Sequence, residues 1–461
     1  MSADGKALQL LLDIGCHVVE LAKSKGADAA DVVASRSTDF EVKVADGNIV
    51  TLTQAVAKGL GLRVFVDGRM GFCTTSDFTP DALTQAVERA VSITREAAQD
   101  PHNGLADAEP GTMSAGDELD LYDPAVPAMS TDDKIRWAHE LEAAARGADP
   151  RVTKFRDSGV ASGETDSILV TSSGAVRTLR STGISIWANP IAVANGELQT
   201  EVWYDSQTHL EDLESVESVG RTAGERAARM LGAKPVKTQN AAVIFEPQVA
   251  AALAGGMLGA IDGDMVYKKA SFLTDKLGET IACNRLNIID DPLLKRGTGT
   301  APFDGEGLPT FRKAIIDAGK LTTYLYDSYT ARKAGAKPTA SARRGYASLP
   351  HAGPFNFYVA AGDDDPDEIL RSSDRALIVT RGLGSGVNTV SGEYSHGANG
   401  LWVEHGEVIH PVQEVTIAGD YLEMLAGIDR IGTDLRMRGA SGAPTLRIAS
   451  MTISGRGHNT Y

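Results

Sequence analysis

The chain has 461 residues, enough for two or three domains with a sizeable core. Its formal net charge of −16 and pI near 5.1 exclude non-specific nucleic-acid binding, which depends on Lys and Arg neutralising phosphates. Aromatics at 6% beside 48 glycines favour many tight turns between strands over a helical bundle.

Residues 6–24 carry Leu8, Leu11, Leu12, Val18, Val19 and Leu21 at helical spacing, with Gly26 as the stop. The opening MSADGKALQLLLDIG has no basic n-region or cleavage site, and no apolar run of about 18 residues occurs, so a cytoplasmic protein without a membrane span is expected. Strands are predicted over 31–37 and 39–45, a turn at Asp46-Gly47-Asn48, and a returning strand over 49–57. A hairpin at Asp67-Gly68 joins Leu62–Val66 to Met70–Thr74, and Thr79-Pro80 opens a helix over Asp81–Gln99. Residues 100–129, rich in Pro, Gly, Ala and Asp, are expected as a long surface excursion. Ser130 and Asp133 form a capping pair for a helix reaching Ala145. Four or five strands fill 151–206, an amphipathic helix covers 211–231, and Lys234-Pro235-Val236-Lys237 is a linker. A strand at Ala241–Phe245, a helix at Pro247–Ala260 and mostly short strands over 285–461 follow. The expected class is α+β in two domains, 1–235 with helices on an antiparallel sheet and 236–461 rich in strands.

Cys16, Cys73 and Cys283 are far apart and lack CxxC spacing, which predicts buried thiols in a reducing cytosol and neither a disulfide framework nor a cysteine zinc site. The densest cluster of polar and acidic residues among glycines is 382–427, where Tyr394-Ser395-His396-Gly397 reads as a Gly-rich turn and Val412, Val415 and Ile417 as an alternating strand. His396, His405 and His410 fall within 15 residues, near Glu393, Glu404, Glu407 and Glu414. Imidazole and carboxylate suit zinc, but spacings of 9 and 5 fit neither a helical turn nor strand alternation, and His405-Gly406 reads as an exposed hairpin tip. A nucleophile–base reading of Ser395-His396, oriented by Glu393 or Asp434, conflicts with strand neighbours pointing to opposite faces. Gly384-Ser385-Gly386 lacks the glycine of a nucleophile elbow, and Gly382-x-Gly384-x-Gly386 opens no helix as a phosphate loop does. In HELEA, His139-Glu140 precedes Ala143 where a second His would be needed, so a solvated helix face is expected.

Several blocks in order resemble the TldD/TldE family, whose TldE member is also called PmbA and which has carried the label of a DNA gyrase modulator. They are GLGLRVFVDGRMGFCTTSDFTPDALTQAVERA (59–90), VYKKASFLTDKLGE (266–279), TAPFDGEGLPTFRKAIIDAGKLTTYLYDSYTARKAG (300–335) and the 382–427 segment. Catalytic members carry HExxxH followed by an acidic residue and Gly-Asp. Matching Asp262-Gly263-Asp264 to that ending puts Ala254, Gly255 and Gly259 at the positions of His, Glu and His, and the family's metal-binding cysteine near Gly397–Ala398. The resemblance therefore implies a TldE/PmbA-type subunit, non-catalytic, in a TldD/TldE zinc metallopeptidase complex acting on small or unfolded peptides. It implies no cofactor in this chain, zinc in a TldD-like HExxxH partner, and a heterodimer in the cell with a homodimer in isolation. Extended peptide would bind by strand addition, with Tyr394, Ser395, His396 and Arg332 as contact residues. An autonomous hydrolase using the His396 region and a peptide-binding scaffold without proteolytic role stay open.

Overall fold

A computed structural model describes residues 3–455 apart from 117 and 385. The first half is built on one sheet of very long strands. Ala29–Ala45 lies between Asn48–Val66 and Val152–Thr171, and Ala175–Ala194 pairs on the far side of the latter, all antiparallel. Arg69–Thr75 closes one edge, and Gly111–Ser114 adds a short parallel strand at the other. The strands expected separately at 31–37 and 39–45 are one strand, because both its edges stay paired through the polar Ser37-Thr38-Asp39. Its turns at Asp46-Gly47, Asp67-Gly68 and Asn195-Gly196 put both residues at positive φ, as two-residue hairpins require.

The two faces of this sheet have different jobs, set by the period of two along each strand. Even positions are apolar. Ala30, Val32, Ala34, Leu60, Leu62 and Val64 pack on the helices Ala3–Ser24 and Pro80–Glu96. Further along, Phe40, Val42, Val44, Val160, Ile184 and Ile186 pack on Thr131–Ala148 and Val216–Arg229. Both latter helices begin with a serine cap, Ser130 accepting from Asp133 N and Ser215 from Ser218 N. The odd face carries Asp31, Ser35, Arg63, Ser167 and Ser181 beside the apolar Val33, Leu169 and Leu179, and it meets the second half of the chain.

That second half contains two six-stranded sheets. In one, the order is Glu407–Asp420, Glu393–Glu404, Arg375–Leu383, Gln239–Phe245, Leu446–Ser454, Ile428–Ile431, and a further pairing of 416–418 with 452–454 brings its ends together. The other runs Lys320–Leu321, Lys313–Asp317, Ile288–Asp290, Phe357–Val359, Ser441–Ala443, Arg436–Arg438. Their shared core includes Phe245, Leu253, Met257, Ile261, Trp402 and Tyr421. Overall the molecule is α+β, as the sequence predicts.

Four local expectations need correction. The helix from Pro247 ends at Gly255, and 256–260 are turns, because Gly255, Gly256 and Gly259 stabilise helix poorly. Tyr394–Gly397 is not a turn but the start of the strand Glu393–Glu404. Cys73 is buried and Cys283 half-buried, but Cys16 is exposed on its helix. The 100–129 excursion is tethered: Arg177 donates to the carbonyls of Glu109 and Gly111, and the Arg296 Nε donates to Asp120 at 2.6 Å.

The segment Arg344–Tyr346 lies on the odd face directly over Gly59 and Gly61, where a Cβ on Gly61 would stand 2.0 Å from the Tyr346 carbonyl oxygen. Gly61→Ala is expected to destabilise the chain by about 1–3 kcal/mol through overpacking. Gly183→Ala, on the same sheet but facing open space, should stay within about 0.5 kcal/mol. Equal urea midpoints for the two variants would contradict this packing.

Candidate functional site

The strand Glu393–Glu404 fixes the residues singled out in 382–427. Alternation puts Tyr394 and His396 on one face and Ser395 on the other. The His396 Nε2 lies 3.0 Å from the Gly384 carbonyl oxygen, so it donates there, and Nδ1, 3.1 Å from the Tyr394 hydroxyl, accepts. Both ring nitrogens are thereby occupied. Tyr394 is buried, which pushes its hydroxyl well above the ordinary phenol range and keeps it a neutral donor. Ser395 is exposed and pairs across the sheet with Ala418. Asp434 accepts from the Thr445 amide and hydroxyl, so it orients no histidine. Ser385 lies outside the described residues.

The three histidines do not converge. His405 sits at the expected hairpin tip with φ 51° and its Nδ1 2.8 Å from Asp374 Oδ1, and the His410 Nδ1 is 3.0 Å from the Pro411 carbonyl oxygen. Val412, Val415 and Ile417 are core residues, as their alternation predicts. Among the described residues no three His, Cys, Asp or Glu side chains form a cluster able to hold a metal.

The positions matched to zinc ligands offer no donors. Ala254 is buried in the core, Gly255 ends its helix beside a cavity of about 410 Å³, and Gly259 lies beyond that helix, where a Cβ would meet the Thr389 methyl at 2.9 Å. Asp262 caps the next short helix by accepting from Asp264 N at 2.8 Å. Ala398, near the cysteine position, is fully buried. A zinc ion thus does not fit this set of residues.

Arg332 is placed elsewhere. Its guanidinium donates to the carbonyls of Ser328, Gly104 and Leu105, which pins the start of the 100–129 excursion. Among the described residues no hydrogen bond or ion pair links it to Tyr394, Ser395 or His396.

A buried ionic cluster, which the sequence reading missed, joins the two halves. The Arg63 Nη2 contacts Asp31 at 2.5 Å and Glu306 at 3.2 Å, and the Arg344 Nη1 contacts the other Asp31 oxygen at 2.8 Å. Burial opposes ionisation of Asp31, but the Arg344 and Arg63 guanidiniums outweigh it and hold the carboxyl below its ordinary range. Neighbouring Asp304 has no such partner. Burial, reinforced by the Glu306 charge, pushes it up to about 7 despite hydrogen bonds from the Glu306, Leu308 and Ala342 amides. The available signals were the Asp304-Gly305-Glu306-Gly307 turn and the adjacent Arg343-Arg344 pair, but nothing in the sequence says what they face.

Family models described as the PmbA/TldA metallopeptidase domain 1, central domain and C-terminal domain match residues 30–94, 124–231 and 238–455. The chain is 34% identical to a metalloprotease PmbA from Escherichia coli O157:H7 over 95% of its own length and 94% of that protein's. It belongs to the PmbA/TldD family of metallopeptidases, on its PmbA/TldE side. A putative modulator of DNA gyrase from Bacteroides thetaiotaomicron superposes with a TM-score of 0.88 at 29% identity, covering 96% of this chain and 98% of the other. TldE from Thermococcus kodakarensis shares the fold, with a TM-score of 0.83 at 20% identity over 96% of this chain and all of the other (100%).

Two outcomes follow from this geometry. The fold raises the affinity of Asp304 for its proton. Its contribution to stability is therefore full below the ordinary value of 3.8 and lost as pH rises through about 7. Wild type should lose stability relative to Asp304→Asn across that window in denaturation at several pH values, and parallel pH profiles would refute the assignment. Restoring the zinc motif with Ala254→His, Gly255→Glu and Gly259→His together should not create a metal site, since the helix no longer carries all three positions. Metal analysis finding one zinc per chain would show the opposite.

Proposed function

We propose that this chain is a TldE/PmbA-type, non-catalytic subunit of a cytoplasmic TldD/TldE zinc metallopeptidase complex that acts on small or unfolded peptides. The observation that carries the reading is the helix ending at Gly255, with no donor at Ala254, Gly255 or Gly259, in a chain otherwise matched to the family from end to end. The zinc and its HExxxH belong, on this reading, to a TldD-like partner in a heterodimer, and this chain in isolation forms a homodimer. The division near residue 235 separates a sheet unit from the strand-rich unit that carries the former metal positions.

Peptide is taken up in extended form. One surface suited to strand addition is the first half of Asn48–Val66. It pairs with Ala29–Ala45 on one side, while Arg69–Thr75 covers the other side only from Leu60 onward. Ile49, Val50, Leu52 and Val56 are exposed there, a combination of open edge and apolar side chains that favours an added strand. Tyr394, Ser395, His396 and Arg332 are assigned to peptide contact in two ways. Ser395 offers an exposed hydroxyl on one face of the strand, while Tyr394 and the Gly384 carbonyl hold the His396 ring on the other; Arg332 acts apart, through the Gly104 and Leu105 carbonyls that it pins.

The test is a peptide-cleavage assay on the purified chain alone and after mixing with an HExxxH-bearing partner, with co-purification and zinc analysis alongside. Cleavage and zinc are expected only with the partner, and co-purification should be stoichiometric. Robust cleavage by this chain alone, or one zinc per isolated chain, would sink the proposal.

A further inference from the structure

We propose that the cavity between the odd face of the N-terminal sheet and the segments around Thr298 and Arg343-Arg344 is a carboxylate pocket that receives the C-terminus of a short peptide. The proposal rests on the peptide-handling reading above and adds a site to it.

The first observation is a buried guanidinium with donors to spare. The Arg344 side chain is 0% exposed; Nη1 is bound to Asp31, yet Nε and Nη2 have no hydrogen-bond partner among the described residues. Leaving such buried donors unmatched is costly, and a carboxylate matches the fork of a guanidinium in geometry and charge. The second is the local charge balance. Asp31 and Glu306 offset Arg63 and Arg344, and Asp290 lies 3.5 Å from Lys313. Arg343 remains, stacked on the Phe355 ring at 4.6 Å with no carboxylate in ion-pair contact among the described residues. Asp304 at the same wall is not a full counter-charge near neutral pH. Positive charge is therefore in excess beside the cavity.

The third is shape. The cavity holds about 250 Å³ and is lined by Arg343, Arg344 and the hydroxyls of Ser167, Ser181 and Thr300. That is below the roughly 300–1,000 Å³ of pockets that engulf a whole small ligand, so it suits one end of a longer molecule. It adjoins a groove of about 490 Å³ through the shared Ser181, Thr182 and Thr298. The groove continues along the sheet past Thr165 and Gly163 to Asp39. Val33, in the cavity, and Asp39, in the groove, are six residues apart on one strand, roughly 20 Å at ~3.3 Å per residue. A cationic end and an acidic far end, with Asp39 and Glu41, match the polarity of a short zwitterionic peptide lying along the strands.

The experiment measures binding of trialanine, trialanine C-terminal amide and inorganic phosphate to the full chain by calorimetry. The free acid should bind at least tenfold more tightly than the amide. Arg343→Gln, at a half-buried position whose side chain makes no hydrogen bond among the described residues, should weaken the acid about tenfold and leave the amide unchanged. Arg344→Met should abolish the preference, and circular dichroism reports whether that variant folds; the Arg343 result stands by itself if it does not. Equal binding of acid and amide, no binding of either, or an unchanged preference in Arg343→Gln overturns the proposal. Phosphate binding as tight as the acid overturns the peptide assignment, because it marks a site for small anions. None of these readouts needs a partner or cleavage, so failure of the subunit reading shows separately as catalysis by the chain alone.

Discussion

The contact on which the rest of this molecule depends is the meeting of Asp31, Arg63, Glu306 and Arg344 between the two halves of the chain. Asp31 and Arg63 face each other across neighbouring strands, while Glu306 and Arg344 arrive from loops of the second half. All four side chains are almost completely buried. Buried charges are tolerated only when paired with good geometry, and removing one member strands the others, at a cost of about 3–5 kcal/mol. The cluster therefore tolerates essentially one placement of the loops on the sheet. Glycines at 59 and 61 allow that placement sterically, and Arg177, donating to the Gly307 carbonyl at 2.9 Å, extends it.

With the loops so fixed, the odd face of the sheet divides. Its first part lies beneath Glu306 and Arg343–Tyr346. Its remainder stays open as a groove of serines, threonines and glycines. The four helices of the first half pack on the even face, so none of them competes for the groove. A sheet with one face packed on helices and a more polar face thus places a polar trough along the boundary with the second half of the chain.

The positions matched to zinc ligands have structural roles of their own. Ala254 joins the core, and the Tyr421 hydroxyl donates to the Leu253 carbonyl at 2.7 Å, which ties the helix to the sheet domain's core. The helix ends at Gly255, so Gly259 lies beyond it. His396, which draws the eye in the sequence, is absorbed into a hydrogen-bonded chain from Tyr394 to Gly384 and has no ring nitrogen left free for a metal.

The sequence by itself determined the main helices and strands of the first half, the hairpin turns, the family and the absence of donor side chains at 254, 255 and 259. These are local facts, fixed by residue identity and by periods of 2 and 3.6. Even there, the helix end at Gly255 and the strand at Tyr394 needed tertiary context, because glycines and polar residues weaken local propensity without saying what replaces it. Only the tertiary structure decided the ionic cluster, the purpose of Arg332 and the excursion it holds, and the pocket at Arg343-Arg344. Arg63 and Glu306 are 243 residues apart and Asp31 and Arg344 are 313 apart. A pairing at that separation is set by how whole sheets and loops pack, and the pattern of one segment does not name its distant partner.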